Sequence, residues 1–155
     1  NLKNQADKRG MDRKRIIFAD RLPLEEHLAR LKMADLFIDT FPCNGHTTTS
    51  DALWAGLPVL TLQGETFASR VSSSLLNALE IPELITKNSI DYEKKAIEFG
   101  NDLKKIINLK KKIETNKFIK PLFNTKLFTN HIEQAYIEMQ KKYQEKRLPE
   151  NIEIN

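Results

Sequence analysis

A chain of 155 residues that is 40% hydrophobic and 30% charged has the length and composition of one globular domain, which excludes a disordered polypeptide. No apolar stretch approaches the roughly 20 residues of a transmembrane helix, and the N-terminal segment lacks a signal-peptide core. A net charge of +4 favours an anionic ligand, and the single cysteine, Cys43, excludes an internal disulfide. We therefore expect a soluble, cytoplasmic protein with no membrane partner, whose N-terminus, lacking Met, is processed or incomplete.

Short apolar runs alternate with amphipathic segments, which is typical of an α/β fold with a parallel sheet. After a helix over residues 2–9, strands are predicted at Arg15–Ala19, Asp35–Thr40, Pro58–Leu62 and Leu84–Thr86. These runs are nearly continuous in hydrophobicity, as strands covered on both faces are. The sequence thus predicts a Rossmann-like parallel sheet flanked by helices. Since such a unit normally starts with a strand, we expect the first part of a larger domain to precede this chain.

Helices are predicted from apolar periodicity and from terminal signals such as Pro23 and Gly56. The predicted spans are a helix from Pro23, Thr47–Ala55, Thr66–Leu79, a long segment capped by Ser89 and running towards residue 115, and Thr125–Gln144. The side chains expected on buried faces are Leu24, Leu28, Leu31, Phe67, Val71, Leu75, Ala78, Phe128, Ile132, Tyr136, Met139 and Tyr143.

The densest basic segment, residues 104–126, holds eight lysines and one glutamate. Isoleucine and leucine recur between the lysines, which favours the solvated face of a helix; a functional basic patch is the alternative. Proteins that bind single-stranded nucleic acid combine basic residues with exposed aromatic residues on which the bases stack. In this sequence the basic residues are not interleaved with such aromatic residues. We therefore expect no nucleic-acid partner.

The junction after the second predicted strand carries the residues best suited to hold a ligand. In open α/β sheets, ligands bind beyond the carboxyl ends of the strands and against helix N-termini. Gly45 permits a sharp turn, and His46, Thr47 and Thr48 bring backbone N–H groups and two hydroxyls to a helix start. Such amides hold a phosphate without a Walker lysine. Asp51 could then accept hydrogen bonds from ribose hydroxyls.

The same spacing allows a purely structural interpretation of the junction. Thr48 could be an N-cap and Asp51 its partner at the third helical position, which is a capping box. A lone loop histidine such as His46 is also more often structural than a ligand contact. The three consecutive threonines favour a ligand, because β-branched residues are poor helix starters beyond the cap. From the residues alone, both interpretations stay open.

Two further positions point to the same cleft. His27 and Arg30 are spaced i, i+3 and share one helix face; they could pack against a base and bond to its carbonyls, or they could be ordinary surface residues. The turn at residues 63–66 opens another helix near the predicted cleft. The three histidines and the cysteine do not fall at metal-ligand spacing, so no metal site is expected.

The chain resembles the protein O-linked N-acetylglucosamine transferase family, glycosyltransferase family 41. The motifs that carry the resemblance occur in family order across roughly residues 15–145. They are Arg15-Ile-Ile-Phe, Pro23-Leu-Glu-Glu-His27, Asn44-Gly-His-Thr-Thr, Ser50-Asp-Ala-Leu-Trp-Ala-Gly-Leu-Pro-Val, Gly64-Glu-Thr-Phe-Ala-Ser-Arg70 and Pro121-Leu-Phe-Asn-Thr-Lys126.

The resemblance implies the C-terminal half of a GT-B glycosyltransferase, in which two Rossmann-like lobes enclose a nucleotide-sugar cleft, usually after tetratricopeptide repeats. Such enzymes transfer a sugar from a UDP donor, or from GDP-fucose in a plant branch, to Ser or Thr hydroxyls, with inversion and without a metal or cofactor. The implied donor is UDP-GlcNAc and the implied acceptor is a protein. Residues 1–120 would form a partial donor-binding lobe, 121–146 a C-terminal helix packing back on it, and 147–155 a loose tail.

The resemblance also assigns roles to individual residues. It places His27 and Arg30 at the uracil base, Cys43 at the sugar, Asp51 at the ribose, and the segment 46–48 at the diphosphate. The full implied nucleotide-sugar-binding set is His27, Arg30, Cys43, Asn44, Gly45, His46, Thr47, Thr48 and Asp51.

The chain departs from the family pattern at Leu24, where animal members carry a base-contacting lysine. The family's phosphate-binding lysine and candidate catalytic histidine belong to upstream segments, so no catalytic residue is expected here. The chain alone should bind donor weakly or not at all and show no turnover. The alternatives are a non-catalytic interaction module that keeps the lobe's fold, a GT-B lobe of an enzyme with a small-molecule acceptor, and nucleic-acid binding through the lysine-rich segment.

Overall fold

The structure is a computed structural model that describes residues 1–154; Asn155, the last residue of the predicted tail, lies outside them. The described chain forms seven α-helices, three short strands and four 3-10 turns. The helices are α1 (Leu2–Lys8), α2 (Leu24–Lys32), α3 (Thr47–Trp54), α4 (Val71–Ala78), α5 (Ser89–Asn101), α6 (Leu103–Ile119) and α7 (Thr125–Gln144), and the strands are β1 (Phe37–Ile38), β2 (Val59–Leu62) and β3 (Ile85–Thr86). No helix among the described residues is long and apolar enough to cross a membrane.

The strands form one parallel sheet in the order β1-β2-β3. Phe37 pairs with Val59 on one side of the central strand, and Thr61 pairs with Ile85 on the other. Since all three strands run in the same direction, their carboxyl ends meet at one edge. The predicted α/β fold with a parallel sheet flanked by helices is confirmed.

The hydrophobic core lies between β2 and helices α3, α4, α5 and α6. Strand β2 and helices α3, α4 and α6 each contribute fully buried side chains, and α5 contributes Phe99, which is nearly buried. The remaining core residues are Ala52, Leu53, Leu57, Val59, Leu60, Leu76, Leu79, Ile81, Leu84, Ile106, Leu109 and Ile113. This core fixes α3 against the sheet, and with it the loop that precedes α3.

The predicted stop of α3 at Gly56 is confirmed. Gly56 has φ +85°, a left-handed conformation that glycine adopts at little cost. Its N–H donates to the carbonyl of Leu53 (3.1 Å), and the N–H of Leu57 donates to the carbonyl of Ala52 (2.8 Å). This is the Schellman pattern, which satisfies two carbonyls at the helix end.

The strand predicted at Arg15–Ala19 is wrong. A 3-10 turn occupies Arg13–Arg15, and the residues after it form no strand ladder with any part of the described chain. Ile17 is 84% exposed and Phe18 is also exposed. High β propensity is not enough, because a strand exists only where a neighbouring strand accepts its hydrogen bonds.

The long helical segment predicted after Ser89 is two helices, α5 and α6, separated at Asp102. Asn88, not Ser89, is the N-cap of α5, and its side chain accepts a hydrogen bond from the N–H of Asp91 (2.8 Å). Asp102 caps α6 by accepting from the N–H of Lys105 (3.1 Å). Two consecutive caps explain why one continuous helix does not form.

Several side chains expected on buried faces are exposed. Leu24 is 62% exposed and Phe67 is 75% exposed. On α4 the fully buried residues are Ser72, Ser73 and Leu76 instead of the predicted stripe. On α7, whose bounds are as predicted, the expected face is also largely open; its exposed members are Phe128, Tyr136, Met139 and Tyr143. Periodicity identifies an apolar face but does not identify what packs on it.

The lysine-rich segment behaves as a solvated helix face. Its apolar residues Ile106, Leu109 and Ile113 enter the core. Five of its lysines pair with carboxylates of α5, of α6 itself and of neighbouring connections. The pairs are Lys105–Glu98, Lys110–Asp35, Lys112–Glu83, Lys117–Glu114 and Lys120–Glu80. This pairing leaves little concentrated positive charge, as the solvated-face interpretation predicted. The domain boundaries at residues 120 and 146 stay predictions.

Candidate functional site

The candidate site begins at Asp39, directly after β1 at the carboxyl edge of the sheet. The carboxylate is 5% exposed. Its Oδ1 accepts the N–H groups of Thr40 (2.9 Å) and Gly45 (2.7 Å), and its Oδ2 accepts the hydroxyl of Thr61 (2.7 Å). These three bonds satisfy a buried charge that would otherwise be costly. The sequence analysis did not single out Asp39, although an acidic residue ending an apolar strand is a usable signal.

Tyr92 on α5 closes the same corner. Its hydroxyl donates to the backbone carbonyl of Asp39 at 2.5 Å. Burial, and secondarily the charge of Asp39, raises the pKa of Tyr92 to about 12. The tyrosine thus stays neutral and keeps its donated hydrogen bond over the physiological range.

Gly45 lies where a side chain has no room. A Cβ at this position would be 2.5 Å from the hydroxyl oxygen of Thr49 and 2.7 Å from that of Thr48. The carbonyl of Gly45 accepts the hydroxyl of Ser72 (3.0 Å). The predicted close turn is therefore a crowded one, in which glycine is required by space.

The N-terminus of α3 is open to ligands. His46 is the N-cap, and no side chain caps the helix. In the described chain, the N–H groups of His46, Thr47 and Thr48 donate to no protein acceptor. All three residues are exposed. The capping-box interpretation is wrong, because Thr48 is the second helical residue and Asp51 does not bond back to it.

The imidazole of His46 lies against Phe67. The ring centroids are 5.9 Å apart at an interplanar angle of 85°, an edge-to-face contact. Phe67 also borders an open groove of about 490 Å³ along α4, together with Gln63 and Arg70. The turn at residues 63–66 thus reaches the neighbourhood of the candidate site, as the sequence suggested.

Asn44 anchors the loop from below. It is 4% exposed, its N–H donates to the carbonyl of Ala68 (2.9 Å), and its Nδ2 donates to the carbonyls of Thr40 (3.0 Å) and Leu62 (3.4 Å). The adjacent Cys43 is an exposed free thiol. The structure therefore gives Asn44 a loop-holding role, and it leaves Cys43 free to line a cleft.

His27 and Arg30 contact each other on α2, which packs against α3. Arg30 donates from Nη2 to Nδ1 of His27 (3.1 Å) and from Nη1 to the backbone carbonyl of Asp20 (2.9 Å). Since a guanidinium only donates, Nδ1 is the acceptor and Nε2 carries the ring proton. The predicted shared face is present, and the guanidinium is held in a fixed orientation.

No metal centre is found in the part of the chain that the structure describes: no group of three or more His, Cys, Asp or Glu side chains is placed to hold an ion. Asp51 is half-buried on α3, one turn beyond the open amides. The predicted ligand set offers backbone amides, hydroxyls, two imidazoles, a guanidinium, a carboxylate, the thiol of Cys43 and the side-chain amide of Asn44. Backbone amides at a helix start suit an anion, and the remaining polar groups suit a polar ring attached to that anion.

A parallel sheet flanked by helices, with a helix N-terminus at its carboxyl edge, places the chain in the class of open α/β proteins. The chain superimposes on a solved structure described as a "Thermobaculum terrenum O-GlcNAc transferase mutant - K341M", with a TM-score of 0.82 and 31% identity. The match covers 89% of this chain and 26% of that one. The fold is therefore that of a GT-B lobe.

The sequence comparisons agree. Residues 1–132 match Glycosyl transferase family 41, and the chain belongs to that family. A UDP-N-acetylglucosamine--peptide N-acetylglucosaminyltransferase of Caenorhabditis elegans is 38% identical over 136 residues, which are 88% of this chain and 12% of that protein. A probable enzyme of the same name, SEC, of Arabidopsis thaliana is 37% identical over 84% of this chain and 13% of its own length. The chain thus spans about an eighth of these relatives.

Proposed function

We propose that this chain is the donor-binding lobe of an inverting, metal-independent glycosyltransferase that moves GlcNAc from UDP-GlcNAc to Ser or Thr hydroxyls of proteins. The acceptor side and the catalytic base are assigned to a second lobe, with tetratricopeptide repeats ahead of it. The chain alone is then inactive. The names of the relatives support the donor and the protein acceptor.

The observation that carries the proposal is the open N-terminus of α3. The amides of His46, Thr47 and Thr48 find no acceptor within the described residues, and all three residues are exposed. Unsatisfied amides at a helix start attract an anion, and the helix dipole adds to that attraction. Helix α2, which carries His27 and Arg30, packs against α3, and the proposal assigns the uridine to that pair and the ribose to Asp51.

In the proposed reaction a protein hydroxyl oxygen attacks C1 of the sugar. The new C1–O bond forms as the bond from C1 to the β-phosphate oxygen breaks, and the electron pair leaves with UDP. The hydroxyl proton goes to a base outside this chain. Amides fixed near the leaving phosphate stabilise its developing charge, and losing one such donor typically costs on the order of 10²- to 10³-fold in rate.

The test is calorimetric titration of the full-length protein with UDP, together with a transfer assay using UDP-GlcNAc and a peptide. Thr48→Ala and His46→Ala keep the backbone amides but remove a hydroxyl and an imidazole from the proposed diphosphate site, and they should lower turnover sharply with little change in the melting temperature. Thr129→Ala is the matched control, because Thr129 is an exposed threonine on α7 that bonds only to its own helix. Wild-type rates in both site variants would contradict the proposal.

The same experiment separates the competing interpretations. A non-catalytic interaction module would bind no UDP at any concentration. An enzyme with a small acceptor would bind UDP and hydrolyse or transfer the sugar without needing a peptide. Affinity for RNA or DNA that falls steeply with salt would instead support the basic helix as the functional surface.

A further inference from the structure

Buried side chains hold both peptide groups that flank Gly45, the one that contains its N–H and the one that contains its carbonyl and the N–H of His46. On its N–H side, the carboxylate of Asp39 accepts the amide at 2.7 Å. On its carbonyl side, the hydroxyl of Ser72 donates at 3.0 Å. Ser72 lies on α4, 27 residues away in sequence, and is fully buried.

A third group completes this arrangement. The hydroxyls of Thr49 and Ser72 are 2.9 Å apart, and both residues are fully buried. Because Ser72 has one hydroxyl proton and donates it to Gly45, Thr49 must be the donor in this pair. The bonds therefore run in one direction, from Thr49 to Ser72 to the Gly45 carbonyl. We call Asp39, Ser72 and Thr49 the Gly45 clamp.

The clamp determines which amides remain for a ligand. The N–H of Gly45 is used by Asp39, so the three free donors are those of His46, Thr47 and Thr48. The carbonyl of Gly45 and the N–H of His46 belong to the same planar peptide group, so the bond from Ser72 to this carbonyl fixes the direction of the first open amide. Bonds in a dry interior hold such an orientation better than bonds exposed to water.

We infer that Asp39, Ser72 and Thr49 are positioning residues for the diphosphate of the donor: they contact no ligand themselves but hold the amides that do. The inference rests on the proposed function. A clamp of this kind gives the preorganised donors that charge stabilisation requires, since the amides need no rearrangement when the phosphate leaves. Its loss should weaken binding of the diphosphate and not that of the nucleoside.

The experiment compares Ser72→Ala with Ser73→Ala in the full-length protein. Ser73 is the matched control, because it is equally buried on the same helix but donates to the carbonyl of Arg70 (2.8 Å), inside α4. UDP affinity is measured by calorimetry and uridine affinity by displacement. We expect Ser72→Ala to lower the affinity for UDP at least tenfold and the affinity for uridine less than twofold. Ser73→Ala should change neither affinity.

Two substitutions of Asp39 test its bond to the N–H of Gly45. Asp39→Asn keeps an oxygen that can accept the Gly45 amide, whereas Asp39→Ala removes it, so Asn should retain UDP affinity that Ala loses. If Ser72→Ala lowers UDP and uridine affinity equally, or only the melting temperature, the positioning role is refuted while the donor site stands. If the wild-type protein binds no UDP, the proposed function fails and the inference fails with it.

Discussion

Replacing Gly45 by alanine tests the crowding of the loop most directly. The added methyl would be 2.5 Å from Oγ1 of Thr49 and 2.7 Å from Oγ1 of Thr48, against 3.4–4 Å for an ordinary contact. Thr48 is exposed and can rotate its hydroxyl away. Thr49 is fully buried and bonded to Ser72, so it must break that bond or move the helix start.

The magnitude follows from these two costs. Losing a buried hydrogen bond such as Thr49–Ser72 costs about 0.5–1.5 kcal/mol. Overpacking a tight interior typically costs about 1–3 kcal/mol. Since Thr48 relieves part of the strain, we expect the free energy of unfolding to fall by about 1–3 kcal/mol. A displaced helix start also moves the open amides, so UDP affinity should fall at least tenfold, which corresponds to about 1.4 kcal/mol.

Gly100→Ala is the matched control. Gly100 lies in the last turn of α5, and a Cβ there would meet nothing within 4 Å. Alanine in a helix is favoured over glycine by up to about 1 kcal/mol, so this variant should be slightly more stable and bind UDP normally. Urea unfolding gives the stability and calorimetry gives the affinity. A Gly45→Ala protein with wild-type stability and wild-type UDP affinity would refute the crowding argument.

The remaining predictions concern packing, ionisation and the uridine side of the site. Leu53→Ala, at a fully buried position, should lower the free energy of unfolding by about 2–5 kcal/mol, while Leu103→Ala, at an exposed position, should change it by less than about 0.5 kcal/mol. The raised pKa of Tyr92, about 12 against 10.0, means that its contribution to stability is full below pH 10 and is lost as pH rises from 10 to 12. The urea midpoint should therefore fall less between these pH values in Tyr92→Phe than in the wild-type protein. An equal fall in the two proteins would contradict this. Leu24→Lys should tighten UDP binding, because it restores the cation that animal family members place beside the base. Met33→Lys is the control: it adds a lysine at an exposed position at the other end of α2 and should leave UDP binding unchanged. Equal effects of the two variants would indicate general charge attraction only.

The elements with local signals could be predicted from the sequence almost to the residue. The α3 helix was expected at Thr47–Ala55 and runs from Thr47 to Trp54, and α7 has the predicted bounds. In α3 the stop depends on Gly56 and its two neighbours, all within one turn. Caps, glycines and apolar runs act over a few residues, so the sequence order itself contains the information.

Two of the wrong predictions concern residues whose structure depends on a distant partner. The run Arg15–Ala19 has the composition of a strand, but no described strand accepts its hydrogen bonds. Phe67 has a helical spacing that suggests burial, yet it lies outside the core and packs on the edge of the His46 ring. In each case the residue type was correctly assessed and the neighbour was unknown.

The candidate site divides in the same way. The open amides of residues 46–48 follow from a glycine before a helix, which is a local signal. The clamp does not, because Ser72 lies 27 residues away from Gly45; Tyr92, outside the clamp, likewise lies 53 residues away from its partner Asp39. Asp39 was recognisable in principle, since a carboxylate that ends a buried strand must find donors, but the identity of those donors requires the fold.

The three consecutive threonines at the start of α3 now separate into two roles, and this gives a last test. Thr49 is buried in the clamp, whereas Thr47 and Thr48 are exposed. Alanine has a higher helix propensity than threonine by a few tenths of a kcal/mol, so Thr47→Ala should slightly stabilise the fold. If the Thr47 hydroxyl also contacts a phosphate, the same variant should bind UDP more weakly. A higher free energy of unfolding together with a lower UDP affinity would show that Thr47 serves binding at a cost in stability. A gain in both quantities would remove Thr47 from the ligand set.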